Sequence, residues 1–231
     1  MKWPVYVIIP AQNEEKSIGK VLGDIPREIV TEVIVVDNGS VDNTGKEVLK
    51  AGGTLLKEPK PGYGAACLKG LSYLTDKLED QENVIVVFLD GDYSDYPEQM
   101  PNLLQPILEK DYEMVIGSRS LGKKAKNSMT PQQVFGNWLA TLLMKFIYKA
   151  EFTDLGPFRA ITYKALMSLN MQDTNFGWTV EMQLKAAKQN MKFCEVPVNY
   201  RERIGVSKVS GTLKGSILAG YKILYTIFKY V

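Results

Sequence analysis

Three apolar, β-branched runs dominate this sequence, and each leads straight into a polar cluster. Val5–Pro10 runs into Ala11-Gln12-Asn13-Glu14-Glu15. Val33–Asp37 continues as Asn38-Gly39-Ser40-Val41-Asp42-Asn43-Thr44, and Val84–Leu89 leads into Asp90-Gly91-Asp92. Runs without polar alternation belong to strands buried on both faces. Glu15–Leu22, Thr44–Ala51, Tyr63–Lys77 and Pro97–Glu109 read as helices between them, with short strands at Thr54–Lys57 and Met114–Ser118. This alternation predicts an α/β fold, a parallel sheet with helices on both faces and right-handed crossovers. Ligands bind beyond the carboxyl ends of strands in such sheets. Three polar exits on one edge therefore predict one polar cleft.

The second half changes character. Pro131–Lys149 is a helix apolar nearly all round, Phe158–Thr162 a short strand, Thr179–Asn190 a helix and Phe193–Tyr200 a strand. Leu213–Val231 is a final amphipathic helix, following a domain over residues 1–212. Gly122–Ser128 and Ile204–Gly211 carry the composition of mobile loops.

Composition narrows the chemistry. The 231 residues are 45% hydrophobic, enough for one domain with a sizeable core. A net charge of +2 argues against a nucleic-acid partner. There is no histidine, which excludes serine–histidine triads, histidine-ligated zinc and histidine bases. Cys67 and Cys194 lie far apart among apolar neighbours and read as reduced thiols of a cytoplasmic protein. No signal-peptide pattern precedes the first strand, and no 18-residue apolar window reads as a spanning helix.

Asp90 and Asp92 are two apart on a turn, spaced to aim both carboxylates at one hard cation. The alternative is a turn that caps the Pro97 helix. Asp37 is placed to accept hydrogen bonds from a base or ribose, or to form an Asx-turn before the Thr44 helix. The Lys60-Pro61-Gly62-Tyr63-Gly64 segment opens a helix whose N–H groups suit an anion. Arg201, Arg203 and Lys208 surround Gly205-Val206-Ser207, either as a loop that closes over phosphate or as a solvated basic loop.

The order of these clusters resembles family 2 glycosyltransferases. The match runs through Ile9-Pro10-Ala11-Gln12-Asn13-Glu14-Glu15, Val36-Asp37-Asn38-Gly39-Ser40, Pro61-Gly62-Tyr63-Gly64, Leu89-Asp90-Gly91-Asp92 and Gly117-Ser118-Arg119. It continues through Thr153-Asp154-Leu155-Gly156-Pro157-Phe158-Arg159, Gly177-Trp178-Thr179-Val180-Glu181 and Gly205-Val206-Ser207-Lys208. Within the family it is most similar to the dolichyl- or polyprenyl-phosphate sugar synthases. The resemblance implies a GT-A fold, Rossmann-like with a mostly parallel sheet. It also implies a nucleotide-diphosphate sugar donor, UDP-glucose being the first expectation, inversion at the anomeric carbon, and Mg²⁺ or Mn²⁺ on Asp90 and Asp92. Pro10, Ala11, Asn13, Glu14, Asp37, Asn38, Lys60, Gly62 and Gly91 would form the rest of the donor site. Arg119, Arg159, Arg201, Ser207 and Lys208 would face phosphates or the acceptor.

Asp154 and Glu181, with Arg119, are the catalytic candidates the resemblance offers. Glu181 and Asp154 are the general-base candidates for a hydroxyl acceptor, and Glu181 is otherwise half of an i,i+4 pair with Lys185. Asp154 orients the acceptor or Arg159, or else caps a connector. The sequence departs from the branch at Ser94, where many members place a metal-binding glutamine, and at Gly156-Pro157-Phe158-Arg159, where Ser-Gly-Phe-Arg is usual. The acceptor is expected to be a lipid phosphate or a small molecule. The tail, with Leu213, Ile217, Tyr221, Leu224 and Phe228 at helical spacing beside lysines, suits packing on the domain or peripheral membrane contact. A homodimer is also compatible. The rival readings are a nucleotide-sugar binding protein without turnover and a sugar-phosphate nucleotidyltransferase, the latter disfavoured by Pro10-Ala11-Gln12-Asn13 where a glycine-rich loop is needed.

Overall fold

The structure is a computed structural model describing residues 3–78, 83–126, 128–205 and 213–230. Seven strands form one sheet in the order β3-β2-β1-β4-β6-β5-β7. The strands are β1 (Val5–Ala11), β2 (Glu32–Asp37), β3 (Thr54–Lys57), β4 (Ile85–Phe88), β5 (Met114–Ser118), β6 (Arg159–Thr162) and β7 (Phe193–Pro197). The helices are α1 (Ile18–Asp24), α2 (Thr44–Lys50), α3 (Tyr63–Leu78), α4 (Met100–Lys110), α5 (Pro131–Tyr148), α6 (Tyr163–Ser168), α7 (Trp178–Lys188) and α8 (Leu213–Lys229). A 3₁₀ turn at Pro97–Gln99 leads into α4.

Each central strand buries both faces. Val5, Val7 and Ile9 of β1 join one core with Ile18 and Leu22 of α1, Val48 of α2 and Leu103 and Ile107 of α4. Tyr6 and Ile8 join the other with Leu71 and Leu74 of α3, Met144 of α5, Trp178 of α7 and Ile227 of α8. Complete burial of each such aliphatic side chain contributes about 1.5–3 kcal/mol. The continuous apolar runs follow from this two-sided covering.

The expected mostly parallel sheet is present, with one strand reversed. β6 runs antiparallel to both β4 and β5, while the other pairings are parallel. The sheet is therefore mostly parallel, and β1, β2, β4 and β5 all end on the same edge. Register is close there: Ala11 pairs with Asp37, and Ile8 with Phe88.

Two helices differ from expectation. α6 lies in a stretch with no sequence-based assignment. α5 begins with a capping box between Thr130 and Gln133 and with Pro131 in its first turn, but buries only Ala140 and Met144. Phe135, Trp138 and Phe146 face outward, so its apolar circumference is not a buried one. α8 packs on α5 and α7, with Ile227 buried and its carbonyl accepting from Tyr148 at 2.5 Å. No helix among the described residues is long and apolar enough to cross a membrane.

Candidate active site

The strand exits form a cleft of about 370 Å³. Pro10, Ala11, Gln12 and Glu14 line it after β1, Asn38 after β2, and Asp90, Gly91 and Asp92 after β4. Pro61, Gly62, Tyr63 and Ala66 form the wall at the start of α3, and Asn175, Phe176 and Arg203 complete the rim. Eight expected donor-site residues thus converge: Pro10, Ala11, Glu14, Asn38, Gly62, Asp90, Gly91 and Asp92.

Asn38 holds the cleft together. Its amide nitrogen donates to the Glu58 and Lys60 carbonyls at 2.9 and 2.8 Å, and its side-chain oxygen accepts from Gly62 N at 2.8 Å. Gln12 Nε2 donates to the Asn38 carbonyl at 3.1 Å. The α3 wall also packs tightly on the segment before α7. A Cβ at Gly62 would lie 2.1 Å from the Thr174 carbonyl oxygen, and one at Gly64 1.9 Å from that of Asp173. Gly62 also has φ +140°, so glycine is required there on both counts.

Asp90 and Asp92 occupy the floor. Asp90 Oδ1 accepts from the Tyr63 hydroxyl at 3.0 Å. Asp92 Oδ1 accepts from Ser94 N at 2.9 Å and Ser94 Oγ at 2.5 Å. Burial first, then the Asp92 charge, pushes the Asp90 carboxyl up to about 7. Asp95 lies behind the pair, 2% exposed, with neither carboxyl oxygen hydrogen-bonded among the described residues. Burial, then the charges of Asp90 and Asp92, pushes it well above the carboxylate range. Arg203, paired with Asp92 at 3.2 Å, offsets part of this acidic charge, and a divalent cation would offset more of it. Among the described residues no group of three or more Asp, Glu, Cys or His side chains is arranged to hold one. Asp90 and Asp92, both lining the cleft at the exit of β4, are the two carboxylates that could hold a cation.

Several expected site residues lie elsewhere. Asn13, Asp37 and Lys60 do not line the cleft. Asn13 N donates to Ser40 Oγ at 2.9 Å and its Oδ1 accepts from Val41 N at 2.8 Å, while Asp37 Oδ1 accepts from Ser40 N at 2.8 Å in an Asx-type turn. The Lys60 side chain is exposed. The α3 N-terminus offers an anion less than expected, because Gly62 N is taken by Asn38 and Ala65 N by the Thr174 carbonyl at 2.9 Å.

The catalytic candidates Asp154, Glu181 and Arg119 are buried and do not line the cleft. Glu181 is 0% exposed in the first turn of α7, away from the cleft. Its oxygens accept from Gln172 N at 3.0 Å, Asp173 N at 2.6 Å and the Tyr230 hydroxyl at 2.7 Å, and pair with Lys185 at 2.7 Å. The i,i+4 pair is present, and the carboxylate is buried behind these partners. Asp154 is equally buried and orients Arg119, not Arg159. It takes Arg119 Nε and Nη2 at 2.8 and 2.6 Å and Arg119 N at 2.7 Å. Despite the cost of its own burial, Asp154 holds the Arg119 guanidinium above its ordinary value. Arg119 also lies over the Tyr200 ring at 5.0 Å.

Arg159 and Arg201 are not open to a phosphate. Arg159 is 0% exposed and donates to the carbonyls of Thr179, Leu155 and Gly156. Burial lowers it to about 10. Arg201 lies 3.4 and 4.2 Å from the Tyr93 and Tyr96 ring centres and donates to the Tyr93 and Asp95 carbonyls. It clamps the turn carrying the acidic pair. Ser207 and Lys208 lie outside the described residues.

Sequence reasoning gave no site role to Gln12, Tyr63 and Ala66 or to Asn175 and Phe176, and placed Arg203 only in a basic loop that closes over phosphate or is solvated. The first three sat inside motifs already noted. Asn175 and Phe176 follow no local pattern, because the loop before α7 reaches the cleft only through tertiary packing. Arg203 was visible only as one of several basic residues.

Residues 6–169 match the glycosyl transferase family 2 profile. The chain belongs to that family. Its sequence relatives place this glycosyltransferase with the polyprenyl-phosphate sugar synthase branch. They include an undecaprenyl-phosphate mannosyltransferase of Micrococcus luteus, 31% identical over 91% of this chain and 89% of the relative. A dolichyl-phosphate hexose transferase of Haloferax volcanii is 28% identical over 92% and 89%. The glucosyl-3-phosphoglycerate synthase of Mycobacterium tuberculosis, crystallised with Mn²⁺, UDP and phosphoglyceric acid, superposes with a TM-score of 0.78. It is 20% identical, covering 99% of this chain and 78% of that one, and supports the GT-A fold.

Proposed function

We propose that this family 2 transferase moves a hexose, with inversion, from a nucleotide diphosphate sugar to a polyprenyl phosphate at a membrane surface. UDP-glucose is the first expected donor and Mg²⁺ or Mn²⁺ the metal. The Micrococcus and Haloferax relatives support the acceptor class by name, and the UDP- and Mn²⁺-bound structural relative supports the donor end.

One observation carries the acceptor assignment. Both carboxylates proposed as general bases, Asp154 and Glu181, are fully buried and engaged. A hydroxyl nucleophile needs a base, whereas a phosphate monoester is already ionised near neutral pH. With neither base candidate lining the cleft, the site suits an acceptor that brings its own charge.

In this reading Asn38, Pro10, Ala11 and Gly62 hold the nucleotide while Asp90 and Asp92 face its diphosphate. A divalent cation bound by the pair supplies charge stabilisation to the leaving diphosphate. An acceptor phosphate oxygen bonds to the anomeric carbon as that carbon's bond to the diphosphate oxygen breaks. The bonding electrons leave with the diphosphate, and no proton need move. A smaller cavity of about 170 Å³ is lined by apolar Met129, Val134 and Trp138 together with Ser120, Lys124 and Thr153. Its apolar residues suit the first isoprene units and Lys124 the phosphate.

The outer faces of α5 and α8 form the membrane-facing surface in this proposal. Phe135 and Phe146 on α5, and Ile217, Tyr221 and Phe228 on α8, are exposed on these adjoining helices, with Lys145 and Lys229 also exposed. Apolar and basic residues together suit an anionic lipid interface. Nucleotide release from a panel of donor sugars, with and without Mn²⁺ and undecaprenyl phosphate, tests the reading. Release that needs neither metal nor lipid phosphate would remove it.

A further inference from the structure

Arg203 reaches across the mouth of the cleft to the acidic pair. Its Nη1 lies 3.2 Å from Asp92 Oδ2, and its Nη2 3.2 Å from Glu14 Oε1. One guanidinium therefore spans carboxylates from the β1 and β4 exits. The adjoining backbone is pinned as well, Ile204 N donating to the Asp92 carbonyl at 2.9 Å. Asp92 Oδ1 is already held by Ser94, so Arg203 takes the oxygen that faces the cleft. The other nearby guanidiniums are committed, Arg119 to Asp154 and Arg201 to the Tyr93 and Tyr96 rings. Among the described residues, Arg203 is the only basic side chain lining the cleft.

We propose that Arg203 is an exchangeable counter-ion, holding Asp92 and Glu14 in the empty cleft and surrendering Asp92 when the metal–nucleotide complex enters. The geometry forces the exchange, because a cation on Asp92 needs the oxygen that Arg203 occupies. Two like charges cannot share that oxygen cheaply. Once displaced, the guanidinium stays beside the cleft, tethered at Ile204. The incoming diphosphate offers it a planar, bidentate partner. Arg203 is thus a positioning residue that keeps the acids apart from each other's charge without metal and turns to the donor with it. The inference rests on Asp90 and Asp92 being the metal pair.

The test measures Mn²⁺ binding to the full chain without nucleotide, read as loss of the free Mn²⁺ electron paramagnetic signal. Arg203→Met should bind Mn²⁺ about two- to fivefold more tightly than the parent, the size of one partly exposed ion pair removed. With Mn²⁺ saturating, the same variant should bind UDP about tenfold more weakly, the loss of one charge-assisted contact. Arg203→Lys should fall between parent and Met in both. Unchanged or weaker Mn²⁺ binding by Arg203→Met would overturn the exchange. Unchanged UDP binding would overturn the transfer to the diphosphate. Asp92→Asn is the separating control. Loss of Mn²⁺ binding in it supports the metal pair itself, so that failure of the Arg203 result then counts against the exchange alone.

Discussion

The Tyr230 hydroxyl donates a 2.7 Å hydrogen bond to Glu181 Oε1, tying the C-terminal end of the chain to the start of α7. Glu181 in turn holds Gln172 N and Asp173 N, and Asp173 pairs with Lys222 of α8 at 2.8 Å. The segment so anchored supplies Asn175 and Phe176 to the cleft. A carboxylate that resembles a catalytic base by position is here the anchor of a cleft wall.

Glu181→Gln should therefore act on stability before chemistry. Facing two N–H donors with an amide costs about 1–3 kcal/mol, read as a lower thermal midpoint. Turnover should stay within about tenfold of the parent, against the roughly 10²- to 10⁴-fold loss of a general base. Tyr230→Phe should show the same signature at about 1 kcal/mol. A turnover loss of thousands-fold at an unchanged midpoint would return Glu181 to the chemistry.

Asp154→Asn should be the most destabilising of the acidic substitutions. It leaves the Arg119 guanidinium, only 9% exposed, without its bidentate partner. Breaking such a buried pair costs ~3–5 kcal/mol. Asp90→Asn should instead stabilise the metal-free protein, since it removes a charge the site disfavours. Chemical denaturation of the two variants, with EDTA present, checks the opposite signs.

The raised acids set a pH dependence. Asp90 is pushed up to about 7 and Asp95 moves in the same direction. A folded-state value above the unfolded one means a stabilising contribution complete below the ordinary carboxylate range, lost as pH rises through the folded value. The metal-free protein should lose stability from about pH 4 to pH 7 through these groups. Mn²⁺ should raise the thermal midpoint most above pH 7, where the Asp90 carboxyl has lost most of its proton. A midpoint shift independent of pH across that window would contradict the assignment.

The fold was legible where burial was two-sided. Val84–Leu89 and Val5–Pro10 are apolar without interruption because both faces are covered, and their polar exits mark the cleft edge. The direction of β6 was not legible, because four residues carry no sign of which neighbour they pair with or in which sense. Side-chain direction was the larger gap. Arg119, Arg159, Arg201 and Arg203 looked alike as basic residues in shared motifs. Burial sends Arg159 onto backbone carbonyls and two tyrosine rings capture Arg201, while only Arg203 reaches the acidic pair. The Arg159 bond to Thr179 spans 20 positions and the Arg203 bond to Glu14 spans 189, beyond any local pattern.

The exposed α5 and α8 faces should bind anionic lipid. Replacing Phe135, Tyr221 and Phe228 together by serine should abolish flotation with phosphatidylglycerol vesicles while UDP binding is unchanged, as none of them lines the cleft. Parent protein that stays wholly in the soluble fraction would contradict the membrane-facing surface.

Mass spectrometry of the lipid product tests the central claim most directly. Purified protein is incubated with Mn²⁺, undecaprenyl phosphate and the nucleotide sugar that it hydrolyses or transfers fastest. Hexosyl transfer predicts an undecaprenyl hexosyl monophosphate with release of the nucleoside diphosphate, lost in Asp92→Asn and absent when undecaprenol replaces the phosphate. An undecaprenyl pyrophosphoryl sugar with release of the nucleoside monophosphate, or a sugar attached to undecaprenol itself, would contradict it.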